Sequence, residues 1–302
     1  MTRMVAALDV GGTTVKAALL DEELKPQATL REQTARSADG KALAEQVADI
    51  VTRLSEQAGT GAPAAVGVVV PGIVDEEIRV CHFSANLDWR EVPFGEILES
   101  RLGLPVAFGH DVTAGGLAEF RVGAGQGCTE AAFIPVGTGI AAALMLGGRI
   151  HRAHGLAGEV GHIDVGHSLK CGCGAVGCLE AISSAAAIAR RYTERTGRPA
   201  AGAREVVDAA RAGDEVAVAV VSDALDGLGH GIRTLLTLLG PEVIVLGGGL
   251  FTAADYVLEP VRDWLAANLT FQRMPELRIA KLGDEAGRLG AGILALDRLK
   301  ES

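Results

Sequence analysis

The chain has 302 residues, of which 48% are hydrophobic, 40 are glycine and only 4% are aromatic, a composition that favours an α/β protein large enough for two domains. Its formal net charge is −10, and its scattered lysines and arginines form no basic stripe, which excludes nucleic acid as a partner. The opening residues MTRMVAALDV show no signal-peptide pattern and no long apolar segment, so we expect a cytoplasmic protein with no membrane partner.

The first elements predicted along the chain are a β-hairpin, a strand and a helix. Two apolar runs, VAALDV and VKAALL, are joined by the glycine turn GGTT, which predicts the hairpin. A third strand is predicted near residues 24–30. Apolar side chains fall on one face of a helix between Gly40 and Gly59, and Gly59 can end it. The run AVGVVVPG then predicts a short buried strand that ends in a Pro-Gly turn.

The second half repeats this theme. The runs AAFIPV and IAAALML are joined through GTG, which indicates a weak duplication of the first hairpin. Helices are predicted over residues 183–195, 214–239, 257–269 and 287–299, and EVIVLGGG predicts a further strand. Because no Ser/Pro-rich linker is present, a domain boundary must fall at a short crossing, which we place near Gly109.

Glycine turns follow three of the predicted strands, at residues 11–14, 137–139 and 247–249. Glycine lets backbone amides approach phosphate oxygens closely. None of the turns has P-loop spacing, and one glycine hairpin alone is most often structural. Three together indicate a nucleotide site in which two turns hold a triphosphate. Asp9, at the end of the first strand, either supplies a carboxylate for Mg²⁺ or caps the turn.

The segment CGCGAVGCLE brings Cys171, Cys173 and Cys178 close together. An odd total of five cysteines in a chain without a secretory signal argues against disulfides. Three thiolates need one more ligand for a tetrahedral Zn²⁺ site, and His162 is our choice, with His167 as the alternative. Such a closed site is structural rather than catalytic.

Two glutamates lie beside these predicted ligands. Glu180 follows Cys178 directly, and Glu159 precedes His162 by three positions. A pair of carboxylates accepts charge-assisted hydrogen bonds from vicinal hydroxyls. The zinc would therefore order the segments that carry Glu159 and Glu180, which together would bind a polyol.

The segments DVGGTTVK, NLDW, HDVTAGGLAE, VGTGI, GEVGH, CGCGAVGCLE, VLGGGL and LGDEAGRLGA occur in the order and spacing of the ROK family of sugar kinases, repressors and related open reading frames. The chain resembles this family over almost its whole length. The resemblance implies the two-lobed, actin-like ATPase fold shared with hexokinases, with MgATP and sugar bound in the interlobe cleft. We expect a smaller lobe of residues 1–109 plus 288–302 and a larger lobe of residues 110–287 that carries the zinc site.

The resemblance also implies roles for individual positions. Asp111 matches the general base that takes the proton of the sugar hydroxyl, although an Asp at a helix start is otherwise often a cap. The positions implied for substrate binding are Gly72, Asn86, His110, Asp111, Glu159, His162 and Glu180. Those implied for the nucleotide are Asp9, Gly11, Gly12, Thr13, Thr14, Lys16, Gly137, Thr138, Gly139, Gly247, Gly248 and Gly249. The implied metal ligands are His162, Cys171, Cys173 and Cys178.

Two departures from the family pattern bear on these roles. The residue before the base is usually Asn and makes a sugar hydrogen bond, whereas this chain has His110. The segment between His162 and Cys171 is also one residue shorter, which keeps His167 open as the fourth ligand. Both departures leave the identity of the sugar and of one metal ligand undecided by the sequence.

The expected activity is an ATP-dependent kinase that phosphorylates the 6-hydroxyl of glucose, using ATP, Mg²⁺ and a structural Zn²⁺. Alternatives are a kinase for N-acetylglucosamine, N-acetylmannosamine or fructose, or a non-catalytic sugar-sensing regulator. Repressors of the family carry a helix-turn-helix ahead of the sugar-binding part, and since the first strand begins by about Val5, we expect none here. A homo-oligomer, either a dimer or a tetramer, is also expected.

Overall fold

The computed structural model describes residues 3–301. Its strands are β1 (Val5–Val10), β2 (Thr14–Leu20), β3 (Pro26–Gln33), β4 (Ala65–Val70), β5 (Ile73–Asp75), β6 (Val80–Ser84), β7 (Trp89–Val92), β8 (Val106–His110), β9 (Ala131–Pro135), β10 (Ala143–Leu146), β11 (Arg149–His151), β12 (Val243–Gly247) and β13 (Glu276–Ile279). Its α-helices are α1 (Lys41–Ala58), α2 (Phe94–Leu102), α3 (Asp111–Val122), α4 (Leu179–Ser183), α5 (Ala185–Thr196), α6 (Ala203–Arg211), α7 (Glu215–Leu239), α8 (Ala254–Asn268) and α9 (Ala286–Glu301). The predicted α/β class is confirmed.

The chain forms two compact units. Unit 1 comprises Met1–Arg121, Ile150–Ala157 and Asp284–Ser302, and unit 2 comprises Val122–Arg149 and Gly158–Gly283. Among residues 3–301, no helix has both the length and the apolar character needed to cross a membrane.

Unit 1 is built on a five-stranded sheet of order β3-β2-β1-β4-β8. Strand β1 pairs antiparallel with β2 and parallel with β4, and β4 pairs parallel with β8. The predicted hairpin is confirmed, and its register sets Asp9 opposite Lys16. A separate three-stranded sheet, β5-β6-β7, was not predicted from the sequence.

Strand β1 is buried on both faces of its sheet. Ala6 and Leu8 belong to the core that α1 and α2 complete, whereas Val5 and Ala7 pack in the cluster with Ala291 of α9. Parallel strands covered on both faces carry continuous apolar runs, which explains the sequence VAALDV. The approach of α9 is close, because a Cβ at Gly67 of β4 would overlap the Ala291 carbonyl oxygen.

Helix α1 is framed by two glycines, as its sequence predicted. Gly40 has φ 74° and Gly59 has φ 64°, a left-handed conformation that costs glycine little. Leu43, Val47 and Ile50 of this helix are buried in the core of unit 1.

The first unit extends to Arg121, beyond the predicted boundary at Gly109, and resumes at Asp284 instead of residue 288. The physical reason is the packing of α3. Ala114 of α3 lies in the same apolar cluster as Ala291 of α9, and a Cβ at Gly290 would overlap the Ala114 backbone. Helix α3 therefore belongs with the first sheet, although the sequence analysis assigned residues 110–122 to the second lobe.

The second five-stranded sheet repeats the strand order of the first. It runs β11-β10-β9-β12-β13, with β9 antiparallel to β10 and parallel to β12, and β12 parallel to β13. The duplication suspected from two hairpins therefore extends to five strands. The helix predicted over residues 183–195 is α5, which begins at Ala185 because Ser184 is extended and its hydroxyl accepts a hydrogen bond from the Ala187 amide.

Candidate active site

The turn between β1 and β2 is held by hydrogen bonds within unit 1. The Gly11 amide donates to the Thr14 carbonyl at 2.8 Å, and the Thr34 hydroxyl donates to the Gly11 carbonyl at 2.7 Å. The Thr34 amide donates to the Thr13 carbonyl at 3.0 Å. Thr34, at the end of β3, was missed by sequence reasoning because nothing in the motif marks a residue from the third strand.

Gly12 lies against another predicted site residue. A Cβ at Gly12 would be 3.1 Å from the Asn86 Cβ, so the turn and Asn86 are neighbours. The Pro-Gly turn after β4 lies against the residues just before Asn86: Gly72 has φ 129°, and a Cβ there would overlap the Phe83 carbonyl and lie 3.0 Å from Ser84. Gly72 is required by this close packing, whereas a side chain at Gly12 would need Asn86 to shift slightly.

Asp9 is a buried carboxylate at the end of β1. Its pKa is raised from 3.8 to about 6, mainly by burial and also by the charge of Asp111, while the charge of Lys16 acts to lower it. The start of α9 faces it, since a Cβ at Gly287 would be 2.8 Å from an Asp9 carboxylate oxygen. Because the charge of Asp111 raises the pKa of Asp9, a cation beside these two carboxylates would be favoured.

The charged groups beside Asp9 come from β2 and the start of α9. Lys16 Nζ is 3.5 Å from an Asp284 carboxylate oxygen. Arg288 pairs with Glu285, and burial lowers the pKa of its guanidinium. Arg288 was not singled out from the sequence, although it stands in the segment LGDEAGRLGA.

Asp111 is the first residue of α3 and follows the last residue of β8. Its Oδ1 accepts a hydrogen bond from the Val112 amide at 2.7 Å and lies 3.1 Å from His110 Nε2. The other ring nitrogen of His110 lies 3.1 Å from the Thr113 hydroxyl. The Asp111 side chain is 31% exposed, so its carboxylate is both held and accessible.

In unit 2, the glycine turns after β9 and β12 lie together. The Val136 amide donates to the Gly247 carbonyl at 2.8 Å, and the Leu250 amide donates to the Val136 carbonyl at 3.2 Å. Gly248 has φ 81°, and its Cα approaches the Val136 backbone so closely that a side chain would clash. The two predicted loops at residues 137–139 and 247–249 thus form one backbone-lined surface.

Glu180 is bound to the first of these loops. Its Oε2 accepts a hydrogen bond from the Ile140 amide at 2.9 Å, and a Cβ at Gly139 would be 2.5 Å from the same oxygen. Glycine at position 139 therefore gives the carboxylate room to reach the amide. The contact links a predicted sugar residue with a predicted phosphate loop, which sequence spacing alone could not reveal.

Three thiols and one imidazole form a cluster in unit 2. The ligand atoms of His162, Cys171, Cys173 and Cys178 all lie within 4.8 Å of one another. Burial and the neighbouring thiols raise the pKa of Cys178 to about 12, so the thiols resist joint ionisation. A divalent cation reverses this, and the donor set of three sulfurs and one nitrogen suits Zn²⁺.

His162, not His167, stands in the cluster. His162 Nδ1 lies 3.7 Å from the Cys171 sulfur, and its Nε2 lies 3.9 Å from a Glu159 carboxylate oxygen. His167 instead uses its ring on the loop backbone, with Nε2 3.0 Å from the Cys178 carbonyl and Nδ1 accepting from the Leu169 amide at 3.1 Å. One imidazole thus connects the thiols with Glu159.

The comparisons with known proteins agree along the whole chain. A family model described as the ROK family matches residues 5–298. A glucokinase of Streptomyces coelicolor is 31% identical, and the match covers 97% of each chain. An N-acetyl-D-glucosamine kinase of Mannheimia succiniciproducens is 29% identical over 98% of this chain and 100% of its own. The crystal structure of a ROK family glucokinase from Streptomyces griseus in complex with glucose and AMPPNP has a TM-score of 0.81 and 32% identity, over 97% of this chain and 99% of that one.

Proposed function

Because the chain belongs to the ROK family, we propose that this ATP-dependent sugar kinase transfers the γ-phosphoryl group of ATP to the 6-hydroxyl of glucose. Its fold is the actin-like ATPase fold of the ROK sugar kinases. The observation that carries the proposal is the Asp111 carboxylate, which is held at Oδ1 and exposed at the start of α3.

Asp111 acts as the general base in this proposal. Phosphoryl transfer needs a sugar hydroxyl that is oriented in line and relieved of its proton, and an ionised carboxylate does both. The Val112 amide holds the carboxylate in place, because it donates to Oδ1 at 2.7 Å. The free carboxylate oxygen of Asp111 then accepts the proton of the sugar hydroxyl as the hydroxyl oxygen attacks the γ-phosphorus of ATP.

The nucleotide would be held by the backbone of the glycine turns. Gly11, Gly12, Thr13 and Thr14 serve on one turn, and residues 137–139 and 247–249 serve on the others. Asp9, with Lys16 as its cross-strand neighbour, would hold the Mg²⁺ that accompanies ATP, directly or through water. That cation would neutralise charge on the phosphates during transfer.

The hexose would be bound by carboxylates and an imidazole. Glu159 and Glu180 offer acceptors for vicinal hydroxyls, and His162, with one ring nitrogen proposed to bind zinc, offers an N–H donor. Asn86 and Gly72 complete the proposed sugar contacts. Since the Ile140 amide occupies Oε2 of Glu180, Oε1 is the oxygen left for a hydroxyl.

We also propose that His162, Cys171, Cys173 and Cys178 hold a structural Zn²⁺. Three sulfurs and one nitrogen leave no open coordination position, so the ion orders the loop and takes no part in the chemistry. The short distances among the four ligand atoms support this assignment.

A second candidate is phosphorylation of N-acetylglucosamine, which the Mannheimia relative favours at nearly the same identity. N-acetylmannosamine, fructose and a purely sugar-sensing role remain alternatives to be tested. The cytoplasmic location and the homo-oligomeric state remain predictions.

The decisive experiment measures ATP turnover with glucose, mannose, N-acetylglucosamine, N-acetylmannosamine and fructose. We expect the highest kcat/KM with glucose. A higher kcat/KM with an acetylated hexosamine would show that this sugar, and not glucose, is the substrate. No turnover with any sugar would favour the sensing role.

The role of Asp111 is tested by Asp111→Asn, which keeps the shape but removes the base. We expect kcat to fall by about 10²-fold to 10⁴-fold, with binding of hexose and nucleotide nearly unchanged. Retention of more than about a tenth of the wild-type kcat would remove Asp111 from that role.

A further inference from the structure

Both ring nitrogens of His110 lie close to polar atoms of Asp111 and Thr113. Nε2 lies 3.1 Å from Asp111 Oδ1, and Nδ1 lies 3.1 Å from Thr113 Oγ1. An ionised carboxylate can only accept hydrogen bonds, so its closeness to Nε2 favours the tautomer that carries the proton on Nε2. In the neutral ring Nδ1 is then an acceptor, and the Thr113 hydroxyl donates to it.

These contacts make the two oxygens of Asp111 unequal. Oδ1 accepts a hydrogen bond from the Val112 amide at 2.7 Å and lies 3.1 Å from His110 Nε2. A protonated Nε2 at this distance, together with the amide, would fix the rotation of the carboxylate and occupy the lone pairs of Oδ1. Oδ2 is left as the oxygen that can take a proton from a substrate.

We infer that His110 is a positioning residue for Asp111, which it holds through Oδ1 so that Oδ2 serves as the base, with Thr113 fixing the tautomer of the ring. The inference rests on the proposed function of Asp111. It replaces the sugar contact expected at position 110, because both ring nitrogens already have partners.

The local structure favours this role over a sugar contact. His110 is the last residue of β8 and pairs with Val70 of β4, so its backbone is fixed by the sheet. Thr113 lies in the first turn of α3 and is buried. The His110 side chain is 16% exposed, about half the exposure of the Asp111 side chain, so it lies behind the carboxylate.

The test compares two substitutions at position 110. His110→Gln places an amide nitrogen at the same number of bonds from Cβ as Nε2, so it can still donate to Asp111. His110→Leu keeps much of the volume and donates nothing. We expect His110→Leu to lower kcat by about tenfold to a hundredfold, the effect of losing a hydrogen bond to a charged group. His110→Gln should recover most of that loss.

Binding separates this role from a sugar contact. Hexose affinity of the wild-type protein and of His110→Leu, measured by calorimetry without nucleotide, should agree within about threefold, because positioning acts on kcat. A rise of more than tenfold in the dissociation constant at unchanged kcat would overturn the inference and return position 110 to sugar recognition.

The Thr113→Val variant tests the same series of contacts, from Thr113 through His110 to Asp111, if His110→Leu does not fold. Valine has nearly the shape of threonine but no hydroxyl, so the ring loses the donor that fixes its tautomer. We expect kcat to fall by about threefold to tenfold, the effect of one neutral hydrogen bond, with unchanged hexose affinity. An unchanged kcat in Thr113→Val would contradict the inference.

A double-mutant cycle with Asp111→Asn distinguishes the two proposals. If His110 acts through Asp111, adding His110→Leu to Asp111→Asn should cost less than about twofold in kcat. A full additional loss in the double mutant would show that His110 acts independently and would overturn the inference. An active Asp111→Asn enzyme would instead overturn the proposed base itself.

Discussion

At the scale of single residues, the shared carboxylate of Glu180 shows how one side chain can serve two loops. Its Oε2 accepts from the Ile140 amide, next to a glycine that leaves it room. The carboxylate proposed to bind sugar is therefore aligned by the loop proposed to bind phosphate. Any side chain that fills the space at Gly139 should disturb both.

We predict that Gly139→Ala weakens hexose binding by about tenfold, because the new Cβ would lie 2.5 Å from Glu180 Oε2 and displace it from its hydrogen bond. Gly137→Ala is the matched control, since a Cβ there meets nothing within 4 Å. Calorimetry with glucose in the absence of nucleotide compares the two. Equal affinities would mean that Glu180 does not need this alignment.

Asp9 makes the stability of the protein depend on pH. Its ordinary pKa is 3.8, and burial raises the pKa in the folded protein to about 6. The folded state therefore binds the proton more tightly than the unfolded state. The resulting stabilisation is complete below the unfolded pKa, declines as the pH rises towards 6, and is lost above it.

We therefore predict that Asp9→Asn raises the free energy of unfolding of the metal-free protein at pH 7.5, by at most about 3 kcal/mol. The gain should shrink at pH 4.5, where the folded wild-type protein is already protonated at Asp9. Urea unfolding at both values measures this, with the exposed Asp88→Asn as control. A destabilised Asp9→Asn at both values would contradict the prediction.

At the scale of elements, the contact between β4 and α9 depends on the absence of a side chain. Gly67 lies in the middle of β4, where the Ala291 carbonyl of α9 occupies the place of a Cβ. Since this helix completes one face of the first sheet, its distance from β4 is set by a single glycine.

Gly67→Ala should destabilise the protein by about 1–3 kcal/mol, the usual cost of overpacking a core. Gly61→Ala makes the same chemical change where a Cβ would meet nothing within 4 Å, so it should change little. Thermal unfolding of both variants gives the comparison. A Gly67→Ala protein as stable as the wild type would show that α9 can move away without cost.

The elements that the sequence predicted are those that local patterns specify. Alternating or continuous apolar runs marked β1, β4, β9 and β12, and helical periodicity with two glycines marked α1. The three-stranded sheet β5-β6-β7 and the packing of α3 with unit 1 were not predicted from the sequence, because they depend on packing between distant segments. Ala114 and Ala291 are 177 positions apart along the chain, and no local pattern records their contact.

The same distinction holds for the candidate site. The glycine turns and the thiols were found because their spacing is unusual, and Asp111 was indicated by the resemblance to the family. The hydrogen bonds of Thr34, Thr113 and the Ile140 amide were not, because an ordinary polar group acquires its role only from its neighbours. Position 110 was noticed, but its direction towards Asp111 required the structure.

At the scale of the whole molecule, the two units should respond differently to loss of zinc. All four proposed ligands lie in unit 2, and structural zinc binding contributes on the order of 10 kcal/mol in small zinc domains. We predict that Cys173→Ser abolishes zinc binding, lowers hexose affinity and removes the hydrogen-exchange protection of residues 162–180. The β1–β2 hairpin in unit 1 should keep its protection.

Cys128→Ser, in the same unit but outside the cluster, is the control and should retain zinc. Elemental analysis should give about one zinc ion per chain for the wild-type protein, the stoichiometry of one closed four-ligand site. A metal-free wild-type preparation with full activity would refute the zinc proposal.

Helix α9 belongs to unit 1, yet it follows all of unit 2 along the chain. During translation β1 and β4 therefore leave the ribosome long before the helix that covers Val5, Ala7 and Val69 has been made. At the usual speed of synthesis the delay is roughly 10 to 60 seconds. For that time one apolar face of the nascent sheet is available to chaperones and to aggregation, and the unit whose first strand emerges first is the last to finish folding.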